Sequence, residues 1–170
     1  MPIAIDALRS ASTRMYKRAA TSLSEARNYG ITTVFLCHSH KDSDLVGGLI
    51  TMLGENGWRV YVDWRDNDMP SSPTKETAEL IQGKIKALDY FLFLATPNSL
   101  SSRWCPWEIG YADGNKENSR ILVVPTTDQT GQWYGSEYLQ LYRHMDFSTL
   151  GTLAVWYPGE TTNGVIAKNL

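Results

Sequence analysis

Short runs of apolar, β-rich sequence alternate with segments of helical periodicity along this chain. The runs cover residues 32–37, 59–64, 90–95 and 121–125. The first and the third have no polar alternation, which is typical of strands buried on both faces of a sheet. Helices between successive strands provide the crossovers that parallel strands need. The alternation therefore predicts an α/β protein built on a parallel sheet.

A fifth, shorter strand is predicted at residues 144–147. Five short strands with about four helices fit a flavodoxin-like three-layer sandwich, whose five-stranded parallel sheet has the order 2-1-3-4-5. Residues 153–157 are also apolar and fit either a further strand or a packed tail. Residues 103–116 are predicted to form a helix.

The first thirty residues differ from the rest, because basic residues outweigh acidic ones and the helical apolar stripe is weak. We expect an N-terminal helical extension over residues 1–30, ended by Gly30, and one domain over residues 31–170. Two interpretations of the extension remain open. It is a helix or frayed arm packed on the domain, or it is a helix used for oligomerisation or for docking a partner.

The composition restricts the class of partner. The chain has 170 residues and a formal net charge of −2, so no global basic field indicates nucleic acid as a partner. Its two cysteines suggest no disulfide framework and favour a reducing cytoplasm. No apolar run approaches the roughly 20 residues that span a bilayer. We therefore expect a cytoplasmic protein that uses no membrane.

The predicted topology places the functional site. Ligands of such sheets bind outside the carboxyl ends of the strands, where the strand order reverses. This position selects the loops at residues 37–41 and 96–102, with the polar loop at residues 63–72 leaning over the same crevice. On the next helix, Trp104 and Glu108 are four residues apart and share one face. A glutamate in this position is also explained by favourable interaction with the helix dipole.

The chemistry follows from what the crevice contains and lacks. Gly-x-Gly-x-x-Gly and Walker motifs are missing from the sequence, and Cys37, His38 and His40 match no zinc signature, so we expect no metal. A lone carboxylate beside an indole suits cleavage of an N-glycosidic bond to a cationic base. Nicotinamide leaves NAD as a neutral molecule and needs no proton, so one carboxylate suffices to stabilise the developing oxocarbenium charge.

Residues 32–147 resemble a TIR (Toll/interleukin-1 receptor) domain of the stand-alone prokaryotic kind. Residues 34–42, 57–63 and 90–99 resemble its first three strands with their loops. Residues 102–108 read Ser-Arg-Trp-Cys-Pro-Trp-Glu and match the signature Ser-x-Trp-Cys-x-x-Glu. One departure is the loop after the second strand, which lacks the usual Pro-Gly and has Met69-Pro70-Ser71-Ser72-Pro73 instead.

The resemblance implies an NAD-cleaving enzyme with Glu108 as its catalytic residue and Trp104 lining the nicotinamide region. NAD would be the substrate, and no cofactor is expected. The candidate substrate-binding residues are Trp104, His38, Ser39, His40, Asp63 and Ser102. The resemblance also implies self-association through TIR–TIR contacts, a separate sensor or effector protein, and a role in antiviral defence or signalling.

Two other functions remain open at this point. The chain fits a non-catalytic TIR scaffold, in which Glu108 is only a charge at a helix terminus and the loops form an interface. It also fits an enzyme resembling nucleoside hydrolases or deoxyribosyltransferases, which also use a glutamate in a flavodoxin-like fold.

Overall fold

The computed structural model describes residues 1–14, 32–61 and 74–170. Its α-helices are α1 (Ile5–Ser12), α2 (Ser43–Glu55), α3 (Lys75–Ala87), α4 (Pro97–Leu100) and α5 (Cys105–Asn115). Its strands are β1 (Ile3–Ala4), β2 (Thr33–Cys37), β3 (Arg59–Tyr61), β4 (Tyr90–Ala95), β5 (Ile121–Thr127), β6 (Trp133–Tyr134), β7 (Arg143–Phe147), β8 (Leu153–Trp156) and β9 (Val165–Ile166). None of the described helices is long and apolar enough to span a bilayer.

The central sheet has the predicted parallel core. Its strands run in the order β3-β2-β4-β5-β7, and every neighbouring pair in this set is parallel. Numbered among themselves, these strands have the order 2-1-3-4-5, so the predicted topology is confirmed. Phe35 of β2 lies opposite Phe91 of β4, and their rings stack with centroids 5.7 Å apart.

The sheet is larger than the five strands predicted. β8 pairs antiparallel with β7, and β9 pairs antiparallel with β8. This resolves the alternative at residues 153–157 in favour of a strand. β1 pairs parallel and β6 antiparallel with β5 beyond Pro125. The two-residue strands were missed because segments this short carry no periodicity.

Helices cover both faces of the sheet and complete the three layers. On one face, α1 and α2 pack on a buried cluster that includes Leu36, Leu92 and Leu122. On the other face, α3 and α5 pack on a second cluster that includes Phe35, Phe91 and Phe93. Successive residues of β2 and β4 thus alternate between two apolar layers, which explains why their sequences show no polar alternation.

The N-terminal segment is packed on the domain as far as it is described. Leu8 and Ala11 of α1 are buried against α2, and Ile3 of β1 pairs with Thr126. A Cβ atom at Gly48 would overlap the carbonyl oxygen of Leu8, so glycine is what lets the two helices approach this closely. A helix is confirmed at residues 5–12. The boundary predicted at residue 30 lies outside the described residues and stays a prediction.

Candidate active site

The side chain of Glu108 lies in the first turn of α5, close to the carboxyl end of β2. The residue is only 5% exposed, although it carries a carboxylate. Cys105, Ile109 and Ala112 of the same helix are buried against the sheet and fix its orientation. The carboxylate therefore lies beside the carboxyl end of β2, the strand at which the order of the sheet reverses.

One neighbour of Glu108 is the thiol of Cys37, the last residue of β2. Burial raises the pKa of this thiol well above its ordinary value. A hydrogen bond to Cys105 and the charge of Glu108, to which Cys37 also hydrogen-bonds, raise that pKa further. The sulfur lies 3.8 Å from the carbonyl oxygen of Cys105. Cys37 is thus a neutral thiol next to the carboxylate of Glu108, and a neutral thiol is a poor nucleophile.

Trp104 immediately precedes α5. Its indole is the first of three aromatic rings that contact one another in series along this helix. Its ring meets the ring of Trp107 edge to face, with centroids 5.3 Å apart. Trp107 in turn stacks on Tyr111 at 6.0 Å, and Nζ of Lys86 lies 5.4 Å from the centre of the Tyr111 ring. Trp104 is partly buried against the core cluster, and its contact with a substrate stays a prediction.

Ser102 has a structural role at the start of the same helix. Its hydroxyl oxygen accepts hydrogen bonds from the backbone N–H groups of Trp104 and Cys105, at 3.2 and 3.3 Å. These are donors that would otherwise lack partners at a helix N-terminus. Ser102 therefore positions Trp104 through the backbone, and its contact with a substrate stays a prediction.

The residues that follow β2 line the approach to the site. His38 is buried and its Nδ1 lies 2.9 Å from the carbonyl oxygen of Leu36. His40 is exposed, and the two imidazole rings are 6.1 Å apart. Ser39 caps the short 3₁₀ turn at His40–Asp42 by accepting a hydrogen bond from the backbone N–H of Lys41. The structure brings these three residues to the loop predicted for them.

Asp42 has a role that the sequence did not reveal. It occupies the N-cap position of α2 without making the capping hydrogen bond that an aspartate there usually makes. Its carboxylate instead accepts hydrogen bonds from Oγ1 of Thr96 and Nδ2 of Asn98, both at 2.6 Å. The residue is 2% exposed. It joins the segments that follow β2 and β4.

Tyr138 also approaches the site, from the 3₁₀ turn at Glu137–Leu141. Burial raises the pKa of its phenol, and the next largest contributions come from Cys37 and Cys105. The preceding residue, Glu137, has a φ of 59°, the one positive φ of a non-glycine residue in the described chain. Such backbone strain concentrates at functional sites. No sequence motif marks this residue, because it enters from a connection between strands.

Asp63 and residues 69–72 lie outside the described residues, so their predicted contributions stay predictions. Within the described ranges, no group of three or more His, Cys, Asp or Glu side chains is arranged to hold a metal ion. The predicted site residues that the structure does describe are gathered at one end of the sheet.

The chain is similar to known proteins. A family model described as TIR domain matches residues 34–152. A protein of Bacillus cereus (strain MSX-D12), named provisionally as a 3′ cyclic ADP-D-ribose synthase, is 34% identical over 122 residues, which are 71% of this chain and 63% of that protein. A protein of Cytobacillus dafuensis, named provisionally as a cyclic ADP-D-ribose synthase, is 28% identical over 89 residues, which are 51% of this chain and 24% of that protein.

This chain thus spans less than two thirds of the length of either relative. The family model, in contrast, covers well over half of the chain and includes both loops of the crevice and the whole of α5. The chain belongs to the TIR domain family.

Proposed function

We propose that this chain cleaves NAD between nicotinamide and ribose, as a glycohydrolase or a cyclase, in antiviral defence or nucleotide signalling. The observation that carries the proposal is the buried carboxylate of Glu108, held beside Cys37 at the sheet crossover and one helical turn after Trp104. Both relatives are named after synthesis of a cyclic ADP-ribose. Such a ring is what remains of NAD when nicotinamide leaves and the molecule closes on itself.

The protein contributes to the reaction mainly by positioning NAD and by supplying one negative charge. The bond between the ribose carbon C1′ and the pyridinium nitrogen breaks, and its electron pair goes to nicotinamide, which leaves neutral. The positive charge that develops on the ribose is stabilised by the carboxylate of Glu108. The oxygen of water, or an internal nucleophile of the same molecule, then bonds to C1′. When water attacks, its proton passes to Glu108.

The surroundings of Glu108 suit this role. The carboxylate is nearly removed from solvent, so its attraction to a developing positive charge is screened less than in water. Cys37 stays protonated beside it and does not compete as a nucleophile. Trp104 offers an indole face on which a pyridinium can stack, an interaction worth about 1–2 kcal/mol in a desolvated site.

We further propose that the active form is assembled by self-association through TIR–TIR contacts, in the cytoplasm, and that a separate sensor or effector protein acts with it. Membership of the TIR domain family supports the proposed self-association. Neither nucleic acid nor a membrane is required by this scheme.

The test is product analysis with NAD, comparing the wild type with Glu108→Gln. This substitution keeps the shape of a buried side chain and removes its charge. We expect the wild type to release nicotinamide and the variant to lose at least 100-fold in kcat, in the range that mutagenesis gives for a lost electrostatic contact to a transition state. Chromatography quantifies nicotinamide, and mass spectrometry separates ADP-ribose from its cyclised isomer.

Two controls make the result decisive. Glu117→Gln removes an exposed glutamate beyond the end of α5 and should leave turnover unchanged. A crowding agent and a series of protein concentrations test whether turnover follows assembly. Unchanged turnover in Glu108→Gln contradicts the proposal. Absence of nicotinamide release by the wild type under every condition favours the scaffold instead.

A further inference from the structure

Tyr138 combines partial exposure with a position close to the buried residues that surround Glu108. It belongs to the 3₁₀ turn at Glu137–Leu141, which lies between β6 and β7. The residue is 38% exposed. Within the part of the chain that the structure describes, its phenol hydroxyl makes no hydrogen bond. The hydroxyl is therefore available to a ligand.

The turn that carries Tyr138 begins with a strained residue. Glu137 has a φ of 59°, in the left-handed region, which costs a residue with a side chain about 1–2 kcal/mol. Such strain persists only where the surrounding structure imposes it, and it is concentrated at ligand sites. Tyr138 directly follows Glu137, so its placement depends on a turn that the fold holds in an unfavourable conformation.

Two buried residues anchor this turn. Leu139 is 2% exposed and belongs to the same buried cluster as Cys37. Tyr142 belongs to this cluster too, and its burial and a hydrogen bond to Asp113 of α5 raise the pKa of its phenol to about 12. The turn is thus tied to the helix that carries the proposed catalytic residue. Tyr138 remains partly exposed beside these anchors.

Electrostatic interactions connect Tyr138 with the neighbours of Glu108. Burial raises the pKa of the Tyr138 phenol, and interactions with Cys37 and Cys105 raise that pKa further. Cys37 in turn hydrogen-bonds to Glu108. A phenol whose pKa lies above its ordinary value of 10.0 is protonated at neutral pH. Tyr138 therefore places a neutral O–H donor near the carboxylate.

The two groups have complementary preferences for the parts of NAD. An ionised carboxylate only accepts hydrogen bonds, so Glu108 suits the ribose hydroxyls, which can donate. The diphosphate is anionic and only accepts, so it needs a donor and is disfavoured next to a carboxylate. A neutral phenol donates without adding negative charge to the site.

We propose that Tyr138 is a substrate-contacting residue whose hydroxyl donates a hydrogen bond to the diphosphate of NAD. This inference rests on the proposed function and adds to it a residue that lies outside the matched signature. It also assigns to the connection between β6 and β7 a part in recognising the dinucleotide.

Equilibrium dialysis of the full chain with NAD and with nicotinamide riboside measures both affinities. Each protein carries Glu108→Gln, which prevents turnover during the measurement. We expect Tyr138→Phe, which removes only the hydroxyl, to weaken NAD binding by about tenfold or more, as for a lost hydrogen bond to a charged acceptor. The affinity for nicotinamide riboside should stay unchanged, because this ligand has no diphosphate.

Tyr157→Phe is the matched control. It removes the hydroxyl of another exposed tyrosine, which follows β8 and whose ring centre lies 4.8 Å from the guanidinium carbon of Arg143. This substitution should leave both affinities unchanged. Thermal unfolding followed by circular dichroism establishes that each variant is folded.

The role of Tyr138 and the cleavage of NAD can be contradicted separately. The role is overturned if Tyr138→Phe binds NAD as tightly as its parent, or if both ligands are weakened equally, even when the wild type releases nicotinamide. If the wild type releases none but Tyr138→Phe selectively weakens NAD binding, the role stands and the proposed cleavage falls. Absence of NAD binding at every protein concentration overturns both.

Discussion

Thr96 donates a 2.6 Å hydrogen bond to Asp42 across the carboxyl ends of β2 and β4. Both side chains are buried, and Asn98 donates to the other oxygen of the same carboxylate. The two loops that border the crevice are therefore fastened to each other by one aspartate. The spacing of these two loops therefore depends on a buried polar cluster.

Replacement of Asp42 by alanine should destabilise the protein by about 2–4 kcal/mol, because it leaves the buried Thr96 hydroxyl and the Asn98 amide without their acceptor. Urea unfolding followed by circular dichroism measures the change. Asp44→Ala is the matched control: this aspartate is exposed and pairs with Arg9 at 3.0 Å, a contact worth less than about 1 kcal/mol. Equal losses in the two variants would contradict the proposed role of Asp42.

Gly48→Ala should be strongly destabilising, because the new methyl group overlaps the backbone of Leu8 and the helices α1 and α2 must separate. We expect a loss of at least about 2 kcal/mol, as for other overpacked core positions. Gly83→Ala in α3 provides the control, since nothing lies within 4 Å of its added Cβ. That substitution should stabilise the helix by about 0.5–1 kcal/mol. Thermal unfolding of both variants gives the comparison.

Trp104→Ala should raise the KM for NAD about tenfold with a smaller effect on kcat. The nicotinamide ring is charged in bound NAD and becomes neutral as it leaves, so an indole stacked on it stabilises the ground state more than the transition state. Steady-state kinetics of nicotinamide release test this prediction. Trp133→Ala is the control, because it removes an exposed tryptophan that is not a predicted site residue. A fall in kcat with an unchanged KM would argue against stacking of NAD on Trp104.

Asp128 should titrate with a pKa of about 2. Hydrogen bonds from Thr130 and Tyr134 stabilise its charged form and lower the pKa from its ordinary value of 3.8. Because the pKa is lower in the folded protein, the stabilising contribution is present above pH 3.8 and is lost as the pH falls towards 2. Carboxyl chemical shifts in an NMR titration measure the pKa. Tyr134→Phe removes a 2.7 Å hydrogen bond and should move the pKa upwards.

The parallel core could be predicted from the sequence because its strands are continuous apolar runs and their connections are helical. The position of Glu108 followed from the same topology together with its spacing from Trp104. The partnership of Asp42 with Thr96 could not be predicted, since it joins residues 54 positions apart through side-chain geometry. A helix predicted to begin at residue 103 would place Ser102 at its N-cap, whereas α5 begins two residues later, at Cys105, and Ser102 accepts hydrogen bonds from the backbone N–H groups of Trp104 and Cys105.

The antiparallel hairpin of β7 and β8 restricts how copies of this chain can assemble. Both hydrogen-bonding edges of β7 are occupied, one by β5 and the other by β8. The edge strand on this side of the sheet is β9. It has two residues, so it is too short for extended pairing with a strand of another molecule. A strand of another molecule therefore has no free edge of β7 with which to pair.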